Sequence, residues 1–175
     1  LERGVNMANW HKVMPSYYTP DDHEILNDVY GTGAEGNKNR RAVFRDIAMQ
    51  AWFDYLTGSQ PMATQQPIWL SKGTLRAASD VLTDSRADFS KLDPKQTSNL
   101  HVHWGGQTAG VDNAKLDEGD GDPNAGVYRI VEVLDSKRLR IAPAAKYTSE
   151  SAYSVGRHSY GKFRVGNVEF YLLDT

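Results

Sequence analysis

The sequence contains no cysteine. That excludes disulfides, thiol nucleophiles and cysteine-ligated zinc. It also lacks an excess of either charge: 20 Lys and Arg stand against 22 Asp and Glu, a net charge of -2. Neither a nucleic-acid-binding signature nor a polybasic membrane patch is read from such a balance. No apolar run reaches the roughly 18 residues of a transmembrane span. Apolar residues make up 39% and mean hydropathy is -0.58, a little low for a compact chain but enough for a core. The 175 residues suit one domain, or one domain with a small insertion. Leu1 to Val5 carries neither Met nor a signal-peptide pattern, and Val168 to Thr175 reads as a buried strand that stops without a cap. The expectation is a fragment of a longer protein.

The densest polar chemistry lies between Ser16 and Tyr30. Val13 to Thr19 is expected to form a short strand, interrupted by Pro15 and closed by Pro20. Asp21, Asp22, His23 and Glu24 follow without a spacer, then Asn27 and Asp28. Burying so many polar groups at one strand end is costly unless a metal or a hydrogen-bond network satisfies them. Carboxylates there can bind or bridge hard and borderline cations. A neighbouring His can protonate a leaving alkoxide or steady phosphoryl oxygens. The competing reading is a solvated acidic turn with an incidental His.

Residues 31–39 hold three glycines and read as a loop. Their spacing is neither a P-loop nor a Rossmann fingerprint, which favours a flexible connection over a phosphate cradle. Arg40 to Leu56 is the clearest helix. Val43, Phe44, Ile47, Ala48, Ala51, Trp52, Tyr55 and Leu56 recur on one face, and Arg41, Arg45, Asp46 and Gln50 lie on the other. The apolar set predicts the core face. Trp52, Phe53 and Tyr55 read as core rather than as a ligand platform.

Residues 57–73 form a connection, with a possible short strand at Ile68 to Leu70. Turn-like composition fills 74–98, and Asn99 to Trp104 looks like a strand. Residues 107–125 are an acidic, Gly-rich loop. Val127 to Leu134 and Arg138 to Ile141 form a predicted hairpin about Asp135 to Lys137. Residues 144–160 read as a Tyr- and Ser-rich connection. A second hairpin is expected about Gly166 and Asn167, joining Gly161–Val165 to Val168–Leu173. The organisation read from this pattern is a first part at 1–72, a β-rich insertion at 73–143, a barrel or meander, and a return to the first part at 144–175.

Three further candidates carry weaker signals. His101 and His103 share one face of a strand, a common ligand spacing, against the reading of an exposed strand face with no third ligand. Asp117 to Asp122 resembles a calcium loop only loosely, because Pro123 and the missing closing Glu depart from it. His158 can face a substrate or serve structure.

The run Tyr17 to Asp28, the glycine loop and Asn39 to Trp52 together resemble the PhoD-like alkaline phosphatases, a branch of the calcineurin-like metallophosphoesterases. Tyr160 to Thr175 is similar to that family's strand before an Asp-Thr-Arg segment. The resemblance covers about 13–58 and 158–175. It implies an α+β fold in which these segments belong to an αββα sandwich around the β-rich insertion. It implies a binuclear or larger centre of divalent or trivalent metal ions, calcium and iron being suggested, acting on a phosphoester substrate. By the superfamily's Gly-Asn-His-Glu pattern, Asp22 takes the metal-binding Asn position, His23 the catalytic His position, and Glu24 the residue that orients His23. Asp21 replaces the Gly. Asn27 matches a polar position counted with the metal ligands, and Asp174 either faces the metal site or caps its strand.

Departures from the family pattern limit the expectation. No Asp-x-His or Gly-Asp precedes the cluster, no Gly-Asp-x-His or Gly-His-x-His follows, and the Arg after Asp174 and Thr175 is missing. These residues are therefore expected to hold one corner of the centre and to hydrolyse little alone. Relatives of this kind imply an extracellular or periplasmic location. Two other functions compete: a binding or cell-envelope module built on 73–143, and an α+β domain without an active centre.

Overall fold

The computed structural model describes residues 4–14, 16, 22–25, 33–36, 41–56, 68–103, 122–158 and 160–173, with backbone alone at 22, 41–43 and 56. Helix α1 spans Val5–Val13 and α2 spans Arg41–Leu56. Eight strands follow: β1 Trp69–Leu75, β2 Val81–Thr83, β3 Thr97–Val102, β4 Gly126–Asp135, β5 Arg138–Ala142, β6 Ser149–Arg157, β7 Gly161–Val165 and β8 Val168–Leu172. The composition is α+β, mostly β.

The first six strands close into a barrel in the order β1-β2-β5-β4-β3-β6. All six pairings are antiparallel. Closure removes exposed sheet edges, and alternation along each strand sorts side chains inward and outward. Leu139 and Ile141 of β5 point inward, between more exposed Arg138 and Arg140. Leu75, Leu82, Phe89, Leu100, Val102, Tyr153 and Val155 complete the filling. Burying such side chains supplies about 1.5–3 kcal/mol each.

One polar group sits at the rim of this core. Asp84, just after β2, accepts from Ser71 Oγ at 2.5 Å, Tyr153 Oη at 2.8 Å and the Arg86 amide at 2.8 Å. Burial acts to raise the pKa of this carboxyl, but the hydrogen bonds and the Arg86 charge outweigh it and hold it below the usual value.

Both predicted hairpins form. Asp135 accepts from the Lys137 amide at 2.8 Å and closes the β4–β5 turn. Gly166 takes φ 59° at the first position of the β7–β8 turn, as a type II′ turn requires. The pair β7–β8 forms its own two-stranded sheet, with Phe163 stacked on Phe170 at 5.0 Å.

Several expectations change. Residues 144–160 are not a connection: they contain β6, which pairs with both β1 and β3. Their serines and glycine lower β-propensity but suit a strand covered on its outer face. Val13, expected in a strand, ends α1 instead.

The core face of α2 is also different. Arg45, Asp46 and Met49 are buried, whereas Ile47 is 50% and Tyr55 84% exposed. The helix docks through Asp46, Met49 and the half-buried Phe53, at i, i+3 and i+7, against the outside of β3 and β6. Specific polar partners on the barrel override the local apolar periodicity.

Candidate functional site

Asp22–Glu24 forms a single 3-10 turn. His23 and Glu24 lie on it with exposed side chains. Such a turn has three residues per revolution, so successive side chains leave it about 120° apart. The side chain of Asp22, and all of Asp21, Asn27, Asp28 and Asp174, lie outside the described residues. Among the described residues no three His, Asp or Glu side chains gather as a metal-binding group. The assigned donors (carboxylates, an amide and an imidazole) fit hard or borderline cations in chemical type.

The chain after this turn is fastened to the barrel at two places. Gly33 O accepts from Asn99 Nδ2 of β3 at 2.8 Å. The Gly36 amide donates to Val127 O at 2.9 Å, and Glu35 pairs with Arg129 at 2.8 Å. Farther on, α2 is held by a buried polar cluster. Asp46 Oδ2 lies 2.5 Å from His101 Nδ1 and accepts from Ser154 Oγ at 2.7 Å. His103 Nε2 lies 3.1 Å from the same Ser154 Oγ. With the Ser154 proton directed to Asp46, His103 is the donor in that contact.

This corrects the reading of His101 and His103 as an exposed strand face. His101 is fully buried beneath α2, because the outer face of β3 is covered by the helix. Burial pushes the His103 pKa down, and the His101 ring adds to this, while the Asp46 carboxylate acts in the opposite sense. The cluster has a serine, two histidines and a carboxylate, but Ser154 is buried and gives its proton to the Asp46 carboxylate, so that His103 meets it as a donor and not as a base. It is built to hold the helix, not to attack a substrate.

Gly156 permits the close approach. A Cβ there would fall 2.5 Å from Asp46 Oδ1 and 2.6 Å from Ser98 Oγ. Beside it, the guanidinium of Arg157 stacks 3.2 Å above the Phe53 ring, and burial lowers its pKa to about 10. Sequence reasoning missed Asn99, Asp46, Ser154 and Gly156. The available signal was the small outward-facing pair Ser154 and Gly156, alternating with Tyr153 and Val155, and the adjacent charged pair Arg45 and Asp46 in the middle of α2.

A cleft of about 170 Å³ opens between β3 and β4, lined mainly by Leu92, Pro94, Thr97, Ile130, Val131 and Val133. It is smaller than the roughly 300–1,000 Å³ of ordinary small-molecule sites. His158 packs at a tilt against Tyr160, ring centres 4.8 Å apart, within the segment joining β6 to β7.

A family model of phosphatases matches residues 2–114, more than half of the chain. The family is that of the PhoD-like phosphatases, and the chain belongs to it. The match takes in the Asp22–Glu24 turn, the glycine segment, α2 and the first three barrel strands. At the level of the family it supports a phosphatase-type hydrolase. No curated protein and no solved structure matches the chain. Among the described residues no helix is long and apolar enough to cross a membrane.

Proposed function

We propose that the chain carries one corner of a metal-dependent phosphoester hydrolase centre, of alkaline phosphatase or phosphodiesterase type. The observation that carries this reading is the family match across a turn that presents His23 and Glu24 to solvent. Asp22 is the proposed metal ligand at the turn, with Asn27 and Asp174 as further ligands. The ions, divalent or trivalent and with calcium and iron as the first choices, would supply positive charge to the phosphoryl oxygens.

His23 is proposed to contact the phosphoryl group and to give a proton to the departing alkoxide. Glu24 is proposed to orient the His23 ring. An exposed turn suits this task, because the ester must reach it from solvent. The parts of 1–72 and 144–175 that lie outside the barrel are proposed to belong to an αββα sandwich, and the barrel, with strands that run from Trp69 to Arg157, to be its insertion. An extracellular or periplasmic location is part of the same proposal.

Replacing His23 by Ala in the full-length enzyme tests the reading. Turnover should fall roughly 100-fold or more, the scale of a lost general acid, with bound metal nearly unchanged. Wild-type turnover in this variant would end the assignment of His23.

A further inference from the structure

The barrel outer face bonds to the chain on both sides of residue 40. Asn99 holds Gly33, nine positions after Glu24, and His101 with Ser154 holds Asp46 in α2. Asn99 and His101 stand two apart on β3, so one strand serves both fastenings. These contacts join residues 66 and 55 positions apart. The Glu35–Arg129 pair is exposed on both sides and adds little by itself. Asn99 and His101 are therefore the chief side-chain anchors, beside the backbone bond from the Gly36 amide to Val127 O. A freely hinged binding module would need no such bonds to the chain that follows the turn.

We infer that β3 is a positioning element, in which Asn99 and His101 hold the segment after the Asp22–Glu24 turn and so set the placement of His23. This rests on the phosphoesterase reading above. Neither residue touches substrate in this account: Asn99 acts through the Gly33 carbonyl, and His101 through Asp46 and the seating of α2. Displacing a reacting group by about 1 Å costs on the order of 100-fold in rate. Loss of an anchor should therefore appear in kcat, while binding of the ester changes little.

The test uses the full-length enzyme with Asn99→Ala, His101→Leu and His101→Asn. The Asn at 101 restores a donor close to where Nδ1 stands, so it serves as the conservative variant. Asn99→Ala and His101→Leu should lower kcat roughly 10- to 100-fold, with KM within about twofold, and His101→Asn should recover most of the loss. Hydrogen–deuterium exchange supplies a second readout. Exchange at residues 22–25 should rise in Asn99→Ala, while residues 149–157 of β6 stay protected. Asn99→Ala leaves the buried cluster intact, so it remains informative if His101→Leu fails to fold.

Values of kcat within twofold of wild type in Asn99→Ala, with unchanged exchange at 22–25, would overturn the inference and leave the phosphoesterase reading standing. Wild-type turnover in His23→Ala would count against that reading itself, and the inference would fall with it.

Discussion

Oδ2 of Asp46 lies 2.5 Å from Nδ1 of His101, and both side chains are fully buried. A partner removed from such a pair leaves the other desolvated and unmatched, at about 3–5 kcal/mol. Asp46→Leu and His101→Leu should each destabilise the fold by about 3 kcal/mol. The double variant should cost clearly less than the sum, because neither polar group then remains. Urea unfolding of the four proteins checks this. Strict additivity would mean that the two residues act independently.

Gly156 is the contact that lets α2 reach the barrel. Gly156→Ala would set a methyl group 2.5 Å from Asp46 Oδ1. The Asp46 carboxylate is buried and held by His101 and Ser154, so it cannot swing aside freely and the variant should lose about 1–3 kcal/mol. Thermal unfolding should register the loss, and the fluorescence of the half-buried Trp52 should shift as α2 lifts. A melting temperature equal to that of wild type would show that the helix does not depend on this approach.

His103 makes stability depend on pH near neutrality. Burial holds its pKa in the folded protein below the ordinary 6.5. The unfolded chain therefore takes up the proton first. This contribution to stability is complete above pH 6.5 and declines as the pH falls toward the depressed folded value. His103→Gln should flatten the stability–pH curve over that window. An unaltered slope in the variant would remove His103 as its source.

Asp84 governs a more acid range. Its pKa in the folded protein lies below 3.8 because Ser71, Tyr153 and the Arg86 amide all donate to the carboxylate. Its contribution is present above 3.8 and is lost as the pH falls through the lowered folded value. Asp84→Asn should be about 1–3 kcal/mol less stable at neutral pH. The gap to wild type should narrow in acid. A constant gap at every pH would contradict the assignment.

Local signals were enough for part of this fold. The β4–β5 hairpin follows from the turn at Asp135 to Lys137, and the β7–β8 hairpin from Gly166 and Asn167. The existence of α2 follows from its 3.6-residue period. Its orientation does not, because the partners of Asp46 stand 55 and 108 residues away. The same distance effect hides β6: Ser149, Ser151, Ser154 and Gly156 look like linker residues until β1, β3 and α2 surround them. For the site, the string Asp21 to Glu24 reads from sequence either as chemistry or as a solvated acidic turn, and the proposed function takes the first reading. What fastens the following segment was not readable, since Asn99 resembles any other polar residue in a strand.

The central claim is that the Asp22–Glu24 turn belongs to a metal phosphoesterase centre, with different tasks for adjacent residues. Turnover of a phosphoester and bound metal, measured together on the full-length enzyme and on its Asp22→Ala and His23→Ala variants, test it most directly. The account predicts that Asp22→Ala loses both metal and turnover, whereas His23→Ala keeps its metal and loses turnover. Wild-type metal content and wild-type turnover in both variants would contradict it.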